Sequence, residues 1–122
     1  MAYVIKFTDE ALLDVKALPK NVKNSLKKEL KEKLMADPAA HSYALRGPLE
    51  EFRSFHYLKY RVVFKVYDDL HAVGVIGIGH HDAKPDVDIY RRLEALAGQG
   101  LLAKTLLSAL KGFTIPISSS KI

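Results

Sequence analysis

The fold is decided by the stretch FRSFHYLKYRVVFKVYDDLHAVGVIGIGH, residues 52–80 of this 122-residue chain. Aromatic and β-branched residues, which favour strands, form three consecutive runs there. These runs are residues 52–57, 60–67 and 73–78. A Leu-Lys pair at 58–59 joins the first two, and an acidic pair at 68–69, able to hydrogen-bond a turn backbone, joins the next two. The stretch therefore predicts a meander of three antiparallel strands.

Side chains alternate across a strand, so the middle run presents two different faces. Its apolar face consists of Tyr60, Val62, Phe64 and Val66. Its other face, which carries permanent positive charge, consists of Arg61, Val63, Lys65 and Tyr67. We expect the first face to pack against a core and the second to remain open.

The third run sorts in the same way, provided that no bulge shifts its register. The residues predicted to be buried are Ala72, Ile76 and Ile78. Those predicted on the opposite face are Val73, Val75, Gly77, Gly79 and His81. If that face adjoins Arg61, its two glycines leave room for a ligand to approach the sheet, with a histidine at the end of the groove.

The amino-acid composition excludes some classes of function and favours others. The chain contains no cysteine, which excludes disulfides, thiolate metal sites and cysteine nucleophiles. Its net charge of +5 favours a polyanionic partner such as nucleic acid, an acidic protein or an anionic membrane surface. Since no apolar run approaches the roughly 20 residues that cross a bilayer, and no signal peptide is recognisable, we expect a cytoplasmic protein.

Two helices are predicted before the meander. Thr8 is a typical N-cap, and Asp9 and Glu10 follow in the first turn, where the helix dipole favours acids. Pro19 ends this helix, and a second one begins near Asn21. The apolar stripe of the second helix is Val22, Leu26, Leu30 and Leu34. The pair predicts a helical hairpin that covers the apolar face of the sheet and leaves the Arg61 face open.

After the meander, residues 87–97 predict a short helix, and a further helix-like segment begins at Leu101. With a short strand predicted at residues 3–7, the resulting order is β-α-α-β-β-β-α plus a C-terminal helix, which is an α+β fold. We expect one domain at residues 1–97 and a C-terminal helical extension and tail at residues 98–122.

Motifs for several common chemistries are missing from the sequence. There is no P-loop, dinucleotide-binding or nucleophile-elbow motif. His80 and His81 are adjacent, and adjacent strand residues point to opposite faces, so they do not predict a metal site. We expect neither a metal nor a cofactor.

The remaining candidates are basic or proton-transferring side chains around the meander: Arg46, Arg53, Lys59, Arg61, Lys65, His80, His81, Lys84 and Tyr90. Arginine contacts phosphate through two nitrogens at once, while histidine and tyrosine can transfer protons. Metal-free RNA cleavage needs these parts: a base for the 2′-hydroxyl, a cation for the phosphorane and an acid for the leaving oxygen. A basic groove that only holds nucleic acid or an acidic peptide needs most of the same residues, so both interpretations stay open.

Several short motifs occur in order along the chain. They are the opening MAY with the acidic-Ala-Leu helix start at 9–12, SLKKELKEKL, the Leu45-Arg46-Gly47 loop, Tyr60-Arg61-Val-Val-Phe, and Val75-Ile-Gly-Ile-Gly-His leading to Tyr90. Together they resemble the RelE/ParE toxin superfamily, and its RelE branch most closely, over about residues 1–97. The resemblance implies a microbial-RNase-like fold with an antiparallel sheet. It also implies a metal-independent toxin that cleaves mRNA in the ribosomal A site and is silenced by an antitoxin.

The resemblance further implies roles for individual residues. Arg61 matches an arginine that contacts the scissile phosphate, and Tyr90 matches a tyrosine that stacks on the substrate or helps deprotonate it. Arg53 falls near a lysine with a general-base or phosphate role. His81, or His80, lies where related branches use a histidine as acid or base. The residues expected to add RNA-binding charge are Arg46, Lys59, Lys65, His80 and Lys84.

Two departures from the family pattern keep other functions open. Phe55 stands where the family has a second basic residue, and His81 where it has an arginine. One alternative is a ParE-like protein that inhibits DNA gyrase by binding; another is a degenerate toxin fold that only binds a partner. The expected partners are a cognate antitoxin, the ribosome and mRNA, with no membrane.

Overall fold

A mixed β-sheet forms the centre of the molecule. The computed structural model describes residues 2–82, 84 and 88–110, and within them the sheet has five strands in the order β1-β5-β4-β3-β2. The strands are β1 (Val4–Phe7), β2 (Tyr43–Ala44), β3 (Arg53–Tyr57), β4 (Tyr60–Tyr67) and β5 (Ala72–His80). Neighbours from β2 to β5 are antiparallel, whereas β1 is parallel to β5. The α+β fold and the predicted meander are confirmed, while β2 and the parallel pairing of β1 are additional features.

The helices begin and end close to the predicted positions. They are α1 (Asp9–Ala17), α2 (Lys20–Glu29) with a π-helical continuation (Leu30–Leu34), α3 (Ile89–Gly98) and α4 (Leu101–Ala109). The Thr8 hydroxyl accepts a hydrogen bond from the backbone N–H of Ala11 at 3.2 Å, which confirms the predicted N-cap. The second helix starts slightly earlier than expected, because Pro19 rather than Asn21 occupies its N-cap position.

The hairpin of α1 and α2 covers one face of the sheet, as predicted. The helix residues of this first core are Ala11, Leu26, Leu30 and Leu34, and its sheet residues are Phe55, Val62, Phe64, Val73, Val75 and Ile78. Burial of such side chains stabilises by about 1.5–3 kcal/mol each. Since the three leucines of α2 are all buried, the predicted apolar stripe is confirmed, although Val22 is only half-buried.

The opposite face of the sheet is covered as well, so the expectation of an open Arg61 face is wrong for most of its length. A second core joins α3 and α4 to this face and consists of Leu49, Phe52, Val63, Ile76, Ile89, Leu93, Leu102 and Leu106. A Cβ atom added to Gly77 would lie 3.2 Å from side-chain carbons of both Ile89 and Leu93, and one added to Gly79 would lie 3.3 Å from Ile89 Cβ. The two glycines therefore admit α3 rather than a ligand.

A β-bulge in β5 explains why the predicted faces are wrong for Val73, Val75 and Ile76, whereas those of Gly77, Ile78 and Gly79 are confirmed. Val63 pairs with Gly77 and Phe64 with Val75, so Ile76 has no partner on β4. The extra residue reverses the alternation on one side of the bulge. As a result Val75 joins Ile78 in the first core, whereas Ile76 lies in the second.

Asp14 of α1 closes the edge of β5 beyond the end of β1. One oxygen of its carboxylate, Oδ2, accepts hydrogen bonds from the backbone N–H of Ile78 at 2.9 Å and from Arg92 Nη2 at 2.6 Å. The other, Oδ1, accepts from Arg92 Nη1 at 3.1 Å. A single carboxylate thus links α1, β5 and α3 and satisfies a backbone donor that lacks a strand partner.

The C-terminal helix packs as part of the second core. Leu102 and Leu106 of α4 are buried beside Leu93 of α3. The proposed boundary at residue 97 between toxin domain and extension stays a prediction, and the predicted tail lies outside the described residues. No helix in the described part of the chain has the length and apolar character needed to span a membrane.

Candidate functional site

Arg61 lies at the start of β4 and carries a charge that no carboxylate balances among the described residues. Its Nη1 donates to the carbonyl oxygens of Leu58, at 3.1 Å, and Tyr60, at 2.9 Å. Within the same residues, Nη2 forms no hydrogen bond and the buried Nε has no partner. Leu58 has a φ of +55°, a strained conformation for a branched side chain, in the β3–β4 turn. The turn therefore holds the Arg61 guanidinium through Nη1, and its charge remains available to an anion.

His56 lies directly opposite Arg61 on the neighbouring strand β3. Cross-strand partners share a face of the sheet, and the ring of His56 also lies 4.7 Å from the ring of Tyr43 on β2, centroid to centroid. Partial burial lowers the pKa of His56, and the nearby charges of Arg61 and His81 lower it further. The imidazole is therefore neutral at pH 7 and able to accept a proton.

His81 follows β5 directly and is held by Asp88. The distance from His81 Nδ1 to Asp88 Oδ1 is 2.6 Å. Burial by itself raises the pKa of Asp88, but hydrogen bonds from the backbone of Asp82, the His81 ring and the backbone of Arg91 outweigh it and lower the pKa overall. An ionised carboxylate only accepts hydrogen bonds, so Nδ1 of His81 carries the shared proton and Nε2 remains for a substrate.

Tyr90, in the first turn of α3, completes the group. Its ring lies 4.9 Å from the His81 ring in an edge-on orientation, with an interplanar angle of 63°. Its hydroxyl lies 2.8 Å from the hydroxyl of Ser54, a fully buried residue of β3 two positions before His56. Two contacts, one on each side, thus fix the tyrosine between the end of β5 and β3.

We call Arg61, His56, His81 and Tyr90 the arginine–histidine cluster. Arg61 pairs with Gly79, and α3 approaches the sheet over that glycine, so the cluster lies where the N-terminus of α3 meets the turn end of the sheet. Three of its members were predicted from the sequence and His56 was missed. The signal for His56 was the hairpin register: with a two-residue turn at 58–59, residue 56 must face residue 61.

Arg53 is not part of the cluster. It pairs with Phe64, whose side chain lies in the first core, and therefore belongs to the face opposite Arg61. Its Nε donates to Ser42 Oγ at 2.7 Å, and its Nη2 donates to the carbonyl oxygens of Ala39 and Ser42 at 3.2 and 3.0 Å. The two arginines that the sequence joined in one site are separated by the alternation of the hairpin strands.

The residues expected to bind RNA are also spread over the surface. The rings of His80 and Tyr60 are in tilted contact, with centroids 4.4 Å apart, on the face opposite Arg61. Lys65 lies toward the other end of β4, about 13 Å along the strand from Arg61, and binds Glu51 Oε1 at 3.1 Å. The remaining ones, Arg46, Lys59 and Lys84, are exposed. Only His81 of the histidine pair therefore lies in the cluster.

The cluster combines a permanent cation, two imidazoles and a phenol. Arginine can neutralise a phosphate, and the imidazoles can give and take protons near neutral pH. Among the described residues, no group of three or more histidines and carboxylates is arranged to hold a metal ion. The cluster is thus equipped for phosphate binding and proton transfer by side chains.

Residues 5–85 match the family model described as the ParE toxin of the type II toxin–antitoxin system parDE. No match is found among curated proteins.

Solved structures of RelE toxins have the same fold. The toxin in the intact Escherichia coli RelBE toxin–antitoxin complex is 32% identical, and the match covers 66% of this chain and 99% of that one, with a TM-score of 0.56. The isolated E. coli RelE toxin is 29% identical over 75% and 95% of the two chains, with a TM-score of 0.58.

The RelBE2 toxin–antitoxin complex of Mycobacterium tuberculosis supports the fold alone, at 22% identity, coverage of 66% and 92%, and a TM-score of 0.63. The family match spans most of the sheet and the helical hairpin. The chain therefore belongs to the RelE/ParE superfamily and is a toxin of a type II toxin–antitoxin system.

Proposed function

We propose that this toxin is a ribosome-dependent, metal-independent mRNA endonuclease that inhibits translation. The observation that carries the proposal is the convergence of Arg61, His56, His81 and Tyr90 at one end of the sheet. The likeness to RelE structures supports it, because two of them are about 30% identical over nearly their whole length.

The first step uses the neutral imidazole. His56 accepts the proton of the ribose 2′-hydroxyl, and the oxygen attacks the adjacent phosphorus. Arg61 stabilises the negative charge that develops on the phosphorane oxygens, because its charge is permanent and unpaired with a carboxylate among the described residues. A 2′,3′-cyclic phosphate forms as the bond to the 5′-oxygen breaks.

The second proton transfer falls to His81. Its protonated ring donates the Nε2 proton to the leaving 5′-oxygen, while Asp88 keeps the Nδ1 proton in place. Tyr90, held by Ser54, offers a flat face or edge against which a nucleobase can stack. Proton gain at His56 and proton loss at His81 balance the reaction.

Charge distribution supports the proposed partners. The net charge of +5 and the exposed lysines of α2 favour association with ribosomal RNA. A cognate antitoxin is the second proposed partner, since the solved relatives include toxin–antitoxin complexes.

Primer extension on cellular mRNA after induction of the toxin tests this function. Wild-type toxin should produce cuts at fixed positions within codons, and Arg61→Ala should abolish them. Induction that arrests growth without any cut in mRNA would refute the proposal.

A ParE-like protein that inhibits DNA gyrase by binding is the second candidate, since the matching family model is described as a ParE toxin. In that case induction causes filamentation and an SOS response, and His81→Ala leaves both unchanged because no proton transfer is involved. A chain that is not toxic at all would instead be a degenerate fold that only binds a partner.

A further inference from the structure

The carboxylate of Asp88 accepts more hydrogen bonds than the start of a helix requires. Its Oδ2 caps α3 by accepting from the backbone N–H of Arg91 at 3.0 Å. Its Oδ1 accepts from the backbone N–H of Asp82 at 2.8 Å and from His81 Nδ1 at 2.6 Å. Capping alone uses one oxygen, so the second is available to hold the backbone N–H of Asp82 and the His81 ring.

Burial makes this arrangement specific. Asp88 is only 4% exposed, whereas the His81 side chain is 55% exposed. A buried carboxylate that already receives two backbone N–H groups is locked in orientation, and it transmits that orientation to the imidazole. The edge contact with Tyr90 restricts the ring from a second side.

We propose that Asp88 is a positioning residue, which holds the Nδ1–H of His81 so that Nε2 is the nitrogen presented to the RNA. This inference rests on the proposed endonuclease function. Asp88 itself touches no substrate; it acts through His81. The hydrogen bond from His81 to Asp88 links the imidazole to the N-terminus of α3. The orientation of His81 therefore depends on how α3 packs against the sheet.

Other charged or titratable groups near His81 come from three elements. Tyr90 contacts it from α3, Asp82 follows it in the chain, and His56 lies close enough on β3 for the charge of His81 to lower the pKa of His56. Arg61 on β4 faces His56. Of these groups, Asp88 alone is hydrogen-bonded to the His81 ring in the described part of the chain, which makes it the group that selects the tautomer.

Asp88→Asn is the sharpest test, because asparagine caps a helix as well as aspartate does. If the amide oxygen keeps the bond to Arg91, the amide NH₂ faces His81, so Nδ1 becomes an acceptor and the proton moves to Nε2, while the backbone N–H of Asp82 loses its acceptor. We expect ¹⁵N NMR of the full-length chain to show this change of tautomer in His81. The rate of mRNA cleavage on ribosomes should fall by roughly 10- to 100-fold, with a shifted pH profile.

Two further variants make the result decisive. Asp82→Asn removes an equal charge from an exposed neighbour whose Oδ1 bonds only the backbone of Lys84 in the described residues, and it should leave tautomer and rate unchanged. Asp88→Ser keeps a helix cap but cannot reach His81, so it should free the ring without unfolding α3. Wild-type tautomer in both Asp88 variants would overturn the proposal. A changed tautomer in a chain that cuts no RNA would instead refute the proposed function and leave the Asp88–His81 coupling intact.

Discussion

Arg53 and Arg61 lie in one β-hairpin but on opposite faces of the sheet, and their surroundings differ accordingly. Three hydrogen bonds hold the guanidinium of Arg53 against the loop that carries Ala39 and Ser42. Only one nitrogen of Arg61 is hydrogen-bonded to described residues, in both cases to backbone of the adjoining turn. Arg53 therefore stabilises the loop, whereas the charge of Arg61 is available to bind an anion.

The comparison shows that residue type and proximity in sequence do not define a phosphate site. What matters is whether the donors of an arginine are already saturated and which face of the sheet it shares with other functional groups. Arg61 shares its face with His56, whereas Arg53 shares its face with the first core.

Replacing each arginine by alanine should produce the largest contrast. Arg61→Ala should lower the rate of mRNA cleavage by roughly 100-fold or more, the effect of losing a donor to a developing anion. Arg53→Ala should keep the rate within about tenfold but lower the free energy of unfolding by about 1–3 kcal/mol, because the three hydrogen bonds from its guanidinium to Ala39 and Ser42 are lost. Ribosome-bound cleavage assays and urea unfolding measure the two effects. Equal losses of activity in both variants would contradict the separation of the two faces.

The covering of the Arg61 face by α3 can be tested at Gly77. A methyl group there meets Ile89 and Leu93 at 3.2 Å, so Gly77→Ala should cost about 1–3 kcal/mol of stability. Gly98→Ala is the matched control, since nothing lies within 4 Å of an added Cβ at that helix position. It should be neutral or stabilise by up to about 1 kcal/mol, as alanine favours helices. Thermal unfolding distinguishes the two, and a neutral Gly77→Ala would mean that α3 does not pack as closely as described.

The strained turn beside Arg61 offers a smaller test. Leu58 is 72% exposed and has a φ of +55°, so Leu58→Gly should relieve strain and raise stability by roughly 0.5–1 kcal/mol. Lys59→Gly, in the same turn but without a positive φ, should instead destabilise the protein by a similar amount. Urea unfolding of both variants gives the comparison; a loss of stability in Leu58→Gly would argue against strain at this turn.

The smallest expected effect concerns the pKa of His56. Burial and the charges of Arg61 and His81 lower it, so the folded protein favours the neutral ring. The associated stability is present above the unfolded pKa of about 6.5 and is lost as the pH falls from there through the folded pKa. NMR titration should show His56 titrating below about 6.5 and shifting upward in Arg61→Ala. If the pKa of His56 does not rise in that variant, the charge of Arg61 does not act on the His56 ring.

Local patterns predicted the elements of this fold well. β4 begins and ends at the predicted residues, Thr8 caps α1, and the leucines of α2 are buried. Each of these features depends on residues close together in the chain, where periodicity and capping act directly. The faces of β5 could not be predicted in this way. Its sequence AVGVIGIG is apolar on both faces, so the alternation of polar and apolar residues gave no indication of the bulge at Ile76.

By itself, the sequence determined the meander, the helical hairpin and the presence of Arg61, His81 and Tyr90 near one sheet. Only the tertiary structure decided that α3 and α4 cover the second face, that Arg53 lies apart from Arg61, that His56 belongs to the cluster and that Asp88 holds His81. The physical reason is the range of the interactions. Helix caps and strand alternation are set by neighbours a few residues away, whereas burial of a sheet face and the pairing of Asp88 with His81 require segments that meet only when the chain is folded.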